Sequence, residues 1–339
     1  MPGTEIAEST EMGKLQVMHL KRYWNKSILK REGKLQPGSF HEEWKKDTTL
    51  LTVLGLGLEP TMQYLYQIVP SFEQFENWIL EVAGGTDAER INQFNQLFTA
   101  KKTTDNVSER HYELLTKDDI DFWGENGYII IREAVSRECC DMAIEALCNF
   151  IEIDRYDDNT WYNDHPAKQG IMVQLFQHPA LEQNRKACKI RKAFEDIWSR
   201  NDIWGNTDRV GFNPPETATH KFRGPHLHWD ASLHLPIPFG TQGILYLADT
   251  AENQGAFTLV PGFQNRIEEW LRSLPPGTNP RNENLYALGA KPIAANAGDL
   301  IIWHKALPHG SSPNTSTLPR FVQYINYEPV DVQESDIWI

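Results

Sequence analysis

From about Asp208 onward the chain breaks into short β-branched and aromatic runs separated by Pro- and Gly-rich turns. Residues 243–248, 256–260, 299–303 and 321–327 are the clearest of these runs. Several short strands at this spacing argue against a parallel α/β sheet. The spacing therefore predicts an antiparallel sandwich or barrel. Helical signals flank it. Thr116-Lys-Asp-Asp119 caps a short helix, 127–132 reads as a strand, and Ser136 opens a helix carrying Met142, Ala146, Leu147 and Phe150. A further helix is expected over about 184–199. The fold class predicted is mainly β with flanking helices (α+β).

Residues up to about Arg110 read differently. Ser71-Phe-Glu-Gln74 is a capping-box pattern followed by apolar Phe75, Trp78, Ile79 and Val82, with Gly84-Gly85 as the stop. Thr86-Asp-Ala-Glu89 starts a second helix with Ile91, Phe94, Leu97 and Phe98 on one stripe. This region holds no chemical motif. The polar stretch from Lys101 to Arg110 marks a boundary, giving a helical N-terminal extension (1–110) and a main domain (111–339). The extension is expected to pack on the main domain or on a second copy, as in a homodimer.

At 339 residues the chain can bury a full core. The formal net charge of -13 argues against a general nucleic-acid binder or a protein held on an anionic membrane. No run approaches the roughly 20 apolar residues needed to span a bilayer. The N-terminal residues are acidic and carry no apolar stretch, so a leader is not expected and the expected compartment is the cytosol. Cys139, Cys140, Cys148 and Cys188 lack CxxC spacing and read as buried reduced thiols.

Two clusters carry chemistry. In the first, Pro225-His-Leu-His-Trp-Asp230, side chains two apart on a strand share a face, so His228 and Asp230 can point at one metal. His226 and His228 share a face by the same rule, leaving an alternative His–His pair open. Taken alone, His-x-Asp is a weak signal. The second cluster runs from Gly298 to Asn314 and places His309 at the end of a strand, with Arg320 opening the aromatic strand that follows. Two imidazoles and a carboxylate on one face of an iron leave positions for a chelating co-substrate and O₂. An arginine fork suits the far carboxylate of a dicarboxylic acid. Arg209 could hold a carboxylate or pair with Asp208. Gln174 could line the pocket or make a buried hydrogen bond. His304 and Lys305 read as solvated or turn residues, and Trp229 as core.

These stretches resemble the phytanoyl-CoA dioxygenase branch of the Fe(II)/2-oxoglutarate oxygenases. The resemblance rests on His228-Trp-Asp230, 243–250, 253–262, 298–314 and Pro319-Arg320, and covers roughly 112–330. It implies a double-stranded β-helix, a jelly roll of the cupin type. It also implies iron held by His228, Asp230 and His309, and 2-oxoglutarate held through its C5 carboxylate by Arg320. Ser311 matches a hydroxyl beside that carboxylate, and Tyr246 an aromatic position near the co-substrate. Gln264 departs from the pattern, where the family more often has His. The implied reaction couples decarboxylation of 2-oxoglutarate by O₂, giving succinate and CO₂, to hydroxylation of a small organic molecule in natural-product or amino-acid-derivative metabolism. Desaturation, cyclisation and oxidative dealkylation use the same site. Halogenation does not, because Asp230 fills the position chloride would need. A non-enzymatic cupin-like binder is the remaining alternative, and it has no need of an open iron site.

Overall fold

In the computed structural model, residues 6–36, 38–99, 113–332, 335 and 337–339 are described. The chain divides into two units, Met1–Arg110 and His111–Ile339. The stretch from Lys101 to Arg110 that reads as a boundary lies outside the described residues.

The first unit contains α1 (Leu20–Arg31), α2 (Trp44–Val53), α3 (Leu58–Ile68), α4 (Phe72–Ala83) and α5 (Ala88–Thr99). α4 begins on the predicted capping box, with Ser71 and Gln74 exchanging side-chain-to-backbone hydrogen bonds, and stops at Gly84 in the left-handed region. α5 starts one residue later than the sequence suggests. The Asp87 carboxylate, rather than Thr86, accepts from the free amides of Glu89 and Arg90. Leu20, Leu50, Leu65, Phe75 and Phe94 are fully buried in this unit.

The second unit contains α6 (Lys117–Asn126), β1 (Tyr128–Ile131), α7 (Arg137–Phe150), β2 (Lys168–Gln169), β3 (Met172–Val173), α8 (Pro179–Arg185) and α9 (Cys188–Trp198). Then come β4 (Ile203–Gly205), β5 (Val210–Asn213), β6 (Thr241–Tyr246), β7 (Phe257–Leu259), α10 (Ile267–Ser273) and β8 (Lys291–Pro292). β9 (Leu300–His304), β10 (His309–Ser311), β11 (Arg320–Tyr324) and β12 (Tyr327–Pro329) complete it. The single helix expected over 184–199 is two. Pro179 sits in the first turn of α8, where its missing N–H costs nothing, and α8 and α9 are separated at Lys186-Ala187.

Seven strands form one sheet in the order β1-β9-β6-β11-β5-β3-β2, and β10-β7-β8 form a second; every pairing is antiparallel. The large sheet is apolar on both faces because alternate side chains serve two cores. Ile129, Leu245, Leu300, Ile302 and Phe321 pack with the inner faces of α7 and α9, including Leu147 and Phe194. Ile244, Tyr246, Ile301, Trp303 and Val322 face Phe257 and Leu259 of the small sheet. This is a double-stranded β-helix with flanking helices. The polar site opens among the second set.

Two expectations need correction. The segment bearing His228 and Asp230 is not a strand. It is irregular, with bends at Leu227 and Asp230 and a single antiparallel bridge between His228 and His309. Of the cysteines, only Cys140 and Cys148 are buried, and burial pushes their thiols up to about 12 and about 11. Cys139 is half-buried and Cys188, at the start of α9, is exposed.

Candidate functional site

The bridge between His228 and His309 is a reciprocal backbone pair: each residue's N–H donates to the other's carbonyl, at 2.9 and 3.0 Å. It fixes both Cα atoms side by side, and the rings follow, with centroids 4.8 Å apart. Gly310 makes this approach feasible. A Cβ there would lie 2.6 Å from the His226 carbonyl oxygen and 2.9 Å from that of Pro225. Ser311 N–H donates to the Pro225 carbonyl and extends the contact.

Each imidazole is oriented by its Nδ1, which lies 2.7 Å from the His226 carbonyl in His228 and 3.0 Å from the Leu307 carbonyl in His309. A carbonyl only accepts, so Nδ1 of each ring carries a proton, and in the neutral ring the lone pair is on Nε2. Both Nε2 atoms lie 3.3 Å from Asp230, one from each carboxylate oxygen. The three donor atoms lie within 4.8 Å of one another. His309 is buried, whereas the His228 and Asp230 side chains are 37% and 52% exposed, so one side of the cluster is open to incoming molecules. Burial alone would raise the Asp230 carboxyl, but the two histidines outweigh it and hold it well below the usual carboxylate range. Burial likewise opposes charge on His228, and the hydrogen bond to Asp230 overcomes it, leaving that ring more basic than usual. Two imidazole nitrogens, neutral when they ligate, and one anion fit a divalent first-row metal.

Arg320 opens β11 opposite Asn213 and is fully buried. Its Nη1 donates to Ser311 Oγ at 3.1 Å, while Nε and Nη2 are buried without any partner. No carboxylate pairs with it among the described residues. A buried guanidinium without a counter-anion is strongly disfavoured, so this position suits a carboxylate brought in from outside. A dicarboxylate that reaches from this fork to the metal donors is the ligand the residues fit.

The other predicted residues divide. Tyr246 is fully buried, but its hydroxyl donates to the Ile293 carbonyl and accepts from Phe257 N–H, both at 2.8 Å. Its hydroxyl ties the two sheets together. Arg209 contacts Asp208 at 3.3 Å and lies over the Phe176 ring. Gln174 donates to Gln169 at 2.9 Å. His226 stays outside the donor cluster, its ring packed against Phe222 and its Nδ1 3.4 Å from the Tyr286 hydroxyl. Trp229 is core, as expected, with its indole donating to the Ala306 carbonyl. His304 is not a solvated turn residue. It ends β9, half-buried against Phe239, and accepts from Ala306 N–H. Gln264, where the family pattern differs, donates to the Gly124 carbonyl at the end of α6.

Three contributors escape a reading of the sequence. Gln242 Nε2 donates to Asp230 Oδ2 at 2.7 Å. Its one visible signal is a polar residue on the inward face of β6, which otherwise carries Ile244 and Tyr246. Arg281 donates to the carbonyls of Trp229 and Ala231 at 2.8 and 2.6 Å and so braces the backbone on both sides of Asp230. Trp303 stands beside His309 with ring centroids 5.1 Å apart.

A second acidic cluster in the first unit has metal-like spacing, formed by His19, Glu43 and Asp47. Lys26 Nζ already sits 2.5 Å from Glu43 and 2.8 Å from Asp47, and Arg22 pairs with Glu43 at 2.9 Å. The protein's own ammonium takes the cation position, and the cluster is a buried ion-pair network.

A double-stranded β-helix with two imidazoles and a carboxylate facing an open side is the arrangement of the non-haem iron oxygenases. The phytanoyl-CoA dioxygenase family matches residues 123–322. A curated Dictyostelium discoideum protein that carries a phytanoyl-CoA dioxygenase name is 23% identical over 266 residues, covering 63% of this chain and 76% of that protein. Among solved structures, AviO1 from Streptomyces viridochromogenes is 15% identical with a TM-score of 0.47, covering 66% of this chain and 99% of that one. HygX from Streptomyces hygroscopicus, crystallised with nickel and 2-oxoglutarate, is 15% identical with a TM-score of 0.45, covering 65% and 89%. The family match covers more than half of the chain, and the chain belongs to the phytanoyl-CoA dioxygenase family of 2-oxoglutarate-dependent iron oxygenases. Fe(II) is accordingly its metal, with 2-oxoglutarate and O₂ as co-substrates. No helix among the described residues is long and apolar enough to cross a membrane.

Proposed function

We propose that the protein hydroxylates a small organic molecule, with iron bound by His228, Asp230 and His309 and 2-oxoglutarate anchored by Arg320 and Ser311. The observation that carries this reading is the pairing of an open three-donor cluster with a buried, anion-less guanidinium. When bound, the iron supplies the activation of O₂ that oxidises a C–H bond as 2-oxoglutarate becomes succinate and CO₂. The chain's own residues do the positioning. Arg320 fixes the co-substrate's far carboxylate through its fork, and Ser311 holds that fork in place. The carbonyls of His226 and Leu307 hold a proton on Nδ1 of each ring and aim each Nε2 at the donor cluster. Gln242 restrains the Asp230 carboxylate from rotating away.

The same reading treats 111–339 as the oxygenase domain and 1–110 as a helical extension through which two copies pair. Four unpaired cysteines support a reducing, cytosolic compartment. The test is an anaerobic titration with Fe(II) and 2-oxoglutarate, followed by O₂. A metal-to-ligand charge-transfer band and O₂-dependent succinate release are expected. His309→Ala should abolish both while the circular dichroism spectrum stays native. A His309→Ala protein with near wild-type turnover would overturn the ligand assignment.

A further inference from the structure

Gln242 and Trp303 face each other directly in the β6–β9 register. Opposed residues of an antiparallel pair have Cβ atoms about 4.5–5.5 Å apart on the same face. The Gln242 amide has no rotational ambiguity: a carboxylate only accepts, so the group facing Asp230 at 2.7 Å is the NH₂. Its Oε1 therefore points away from Asp230, and that oxygen is buried with no donor in reach. Trp303 is 3% exposed, held by Phe257 at 4.3 Å and His309 at 5.1 Å between ring centroids. Its Nε1–H is likewise buried with no acceptor. One unsatisfied acceptor and one unsatisfied donor thus belong to directly opposed cross-strand residues, which touch Asp230 and His309 respectively. Buried polar groups are almost always paired, so a neighbouring pair left open beside a reaction centre is a binding feature.

We infer that Gln242 Oε1 and Trp303 Nε1–H form a two-point subsite for the substrate, and that the group it takes is a neutral alcohol hydroxyl. The inference deepens the functional reading above and rests on it. A hydroxyl is the smallest group that satisfies both points, because it donates to Gln242 and accepts from Trp303. A ketone or ether has no proton for Gln242. An ammonium has no lone pair for Trp303, and a carboxylate would meet the Gln242 oxygen as a second acceptor. The subsite accordingly selects an alcohol and seats the hydroxyl-bearing carbon beside the Asp230 side of the metal donors. Discrimination of this kind is strong because the wrong substrate leaves two protein groups unpaired.

The experiment uses the full chain loaded with Zn(II), as a redox-inert and diamagnetic substitute for iron, and with 2-oxoglutarate. The tryptophan indole nitrogens are ¹⁵N-labelled, and the Trp303 N–H resonance is assigned by its loss in Trp303→Phe. Three size-matched probes are titrated: cyclohexanol (donor and acceptor), cyclohexanone (acceptor only) and cyclohexylammonium (donor only). Cyclohexanol should bind at least tenfold tighter than either of the others and move the Trp303 resonance downfield in a saturable way. In Gln242→Met and in Trp303→Phe that preference should fall below threefold. Three equal affinities would overturn the inference. So would a resonance that lies at its hydrogen-bonded position before any probe is added and stays there, since the pair would then hold an ordered water only. If wild-type protein binds zinc and 2-oxoglutarate while the probes go undiscriminated, only the subsite fails. If neither zinc nor 2-oxoglutarate binds, the functional reading fails and takes the subsite with it.

Discussion

Arg320 is the residue on which co-substrate binding is expected to turn. Its guanidinium is fully buried, tied to one hydroxyl, and has two nitrogens without partners. Charge-assisted hydrogen bonds of this kind are worth roughly 1.5–3 kcal/mol net. At about 1.4 kcal/mol per factor of ten, Arg320→Ala should weaken 2-oxoglutarate about ten- to a hundredfold. Arg320→Lys should fall between, because it restores the charge and not the fork. The readout is the apparent 2-oxoglutarate affinity from the charge-transfer band, with Fe(II) affinity unchanged. If Arg320→Ala alters substrate affinity alone, Arg320 lies in the substrate pocket. Arg320, His309 and Asp230 are all legible in the sequence because their chemistry is singular and their neighbours form a motif. Gln242 is not, because a glutamine at the start of a strand has no meaning until that strand is laid beside Asp230.

Among the elements, the approach of the 225–230 segment to β10 matters most, and Gly310 controls it. The two carbonyls facing Gly310 leave no space for a methyl group, and backbone cannot yield as a side-chain tip can. Gly310→Ala should push the segment away, separate Nε2 of His228 from that of His309, and destabilise the protein by roughly 1–3 kcal/mol as overpacking does. Differential scanning calorimetry and Fe(II) titration should both register the change. A variant with wild-type melting and wild-type iron affinity would show that the segment accommodates the methyl group. The local signals at 71–74 and 116–119 are read correctly from sequence because a capping box needs only four consecutive residues. The conformation of 225–230 is misread as a strand because only a bridge to β10, far along the chain, determines it.

At the scale of the whole molecule, stability should respond to acid through His304. Burial, with Lys305 adding to it, pushes this ring down to about 4, and its Nδ1 is occupied by Ala306 N–H. In the unfolded chain the ring takes up a proton near its ordinary value of about 6.5. Between those two values the unfolded state binds a proton that the folded state refuses, so stability falls as pH falls through this window. Above it His304 contributes no pH dependence. The melting temperature of wild type should therefore drop more steeply from pH 6.5 to 4.5 than that of His304→Gln. Parallel curves would show that other groups carry the acid response. Removal of residues 1–110 provides a second test at this scale. The remaining chain should keep Fe(II) and 2-oxoglutarate binding, because every donor lies beyond Arg110. A folded 111–339 protein that fails to bind iron would extend the site into the first unit.

The sequence by itself determined the strand-rich class and the helix caps and singled out the candidate donors and Arg320, because each is written in local pattern or in side-chain chemistry. Tertiary structure alone decided which imidazole nitrogens are free, since carbonyls of residues 226 and 307 set the ring orientations. It also decided that the Tyr246 hydroxyl and the His304 ring are held by backbone groups, that α8 and α9 are separate, and that Gln242 and Trp303 carry buried unpaired polar atoms beside the donors. The physical reason is the same in each case. Hydrogen bonds and burial are made between residues distant in sequence, and their partners are fixed only when the two sheets close around the site.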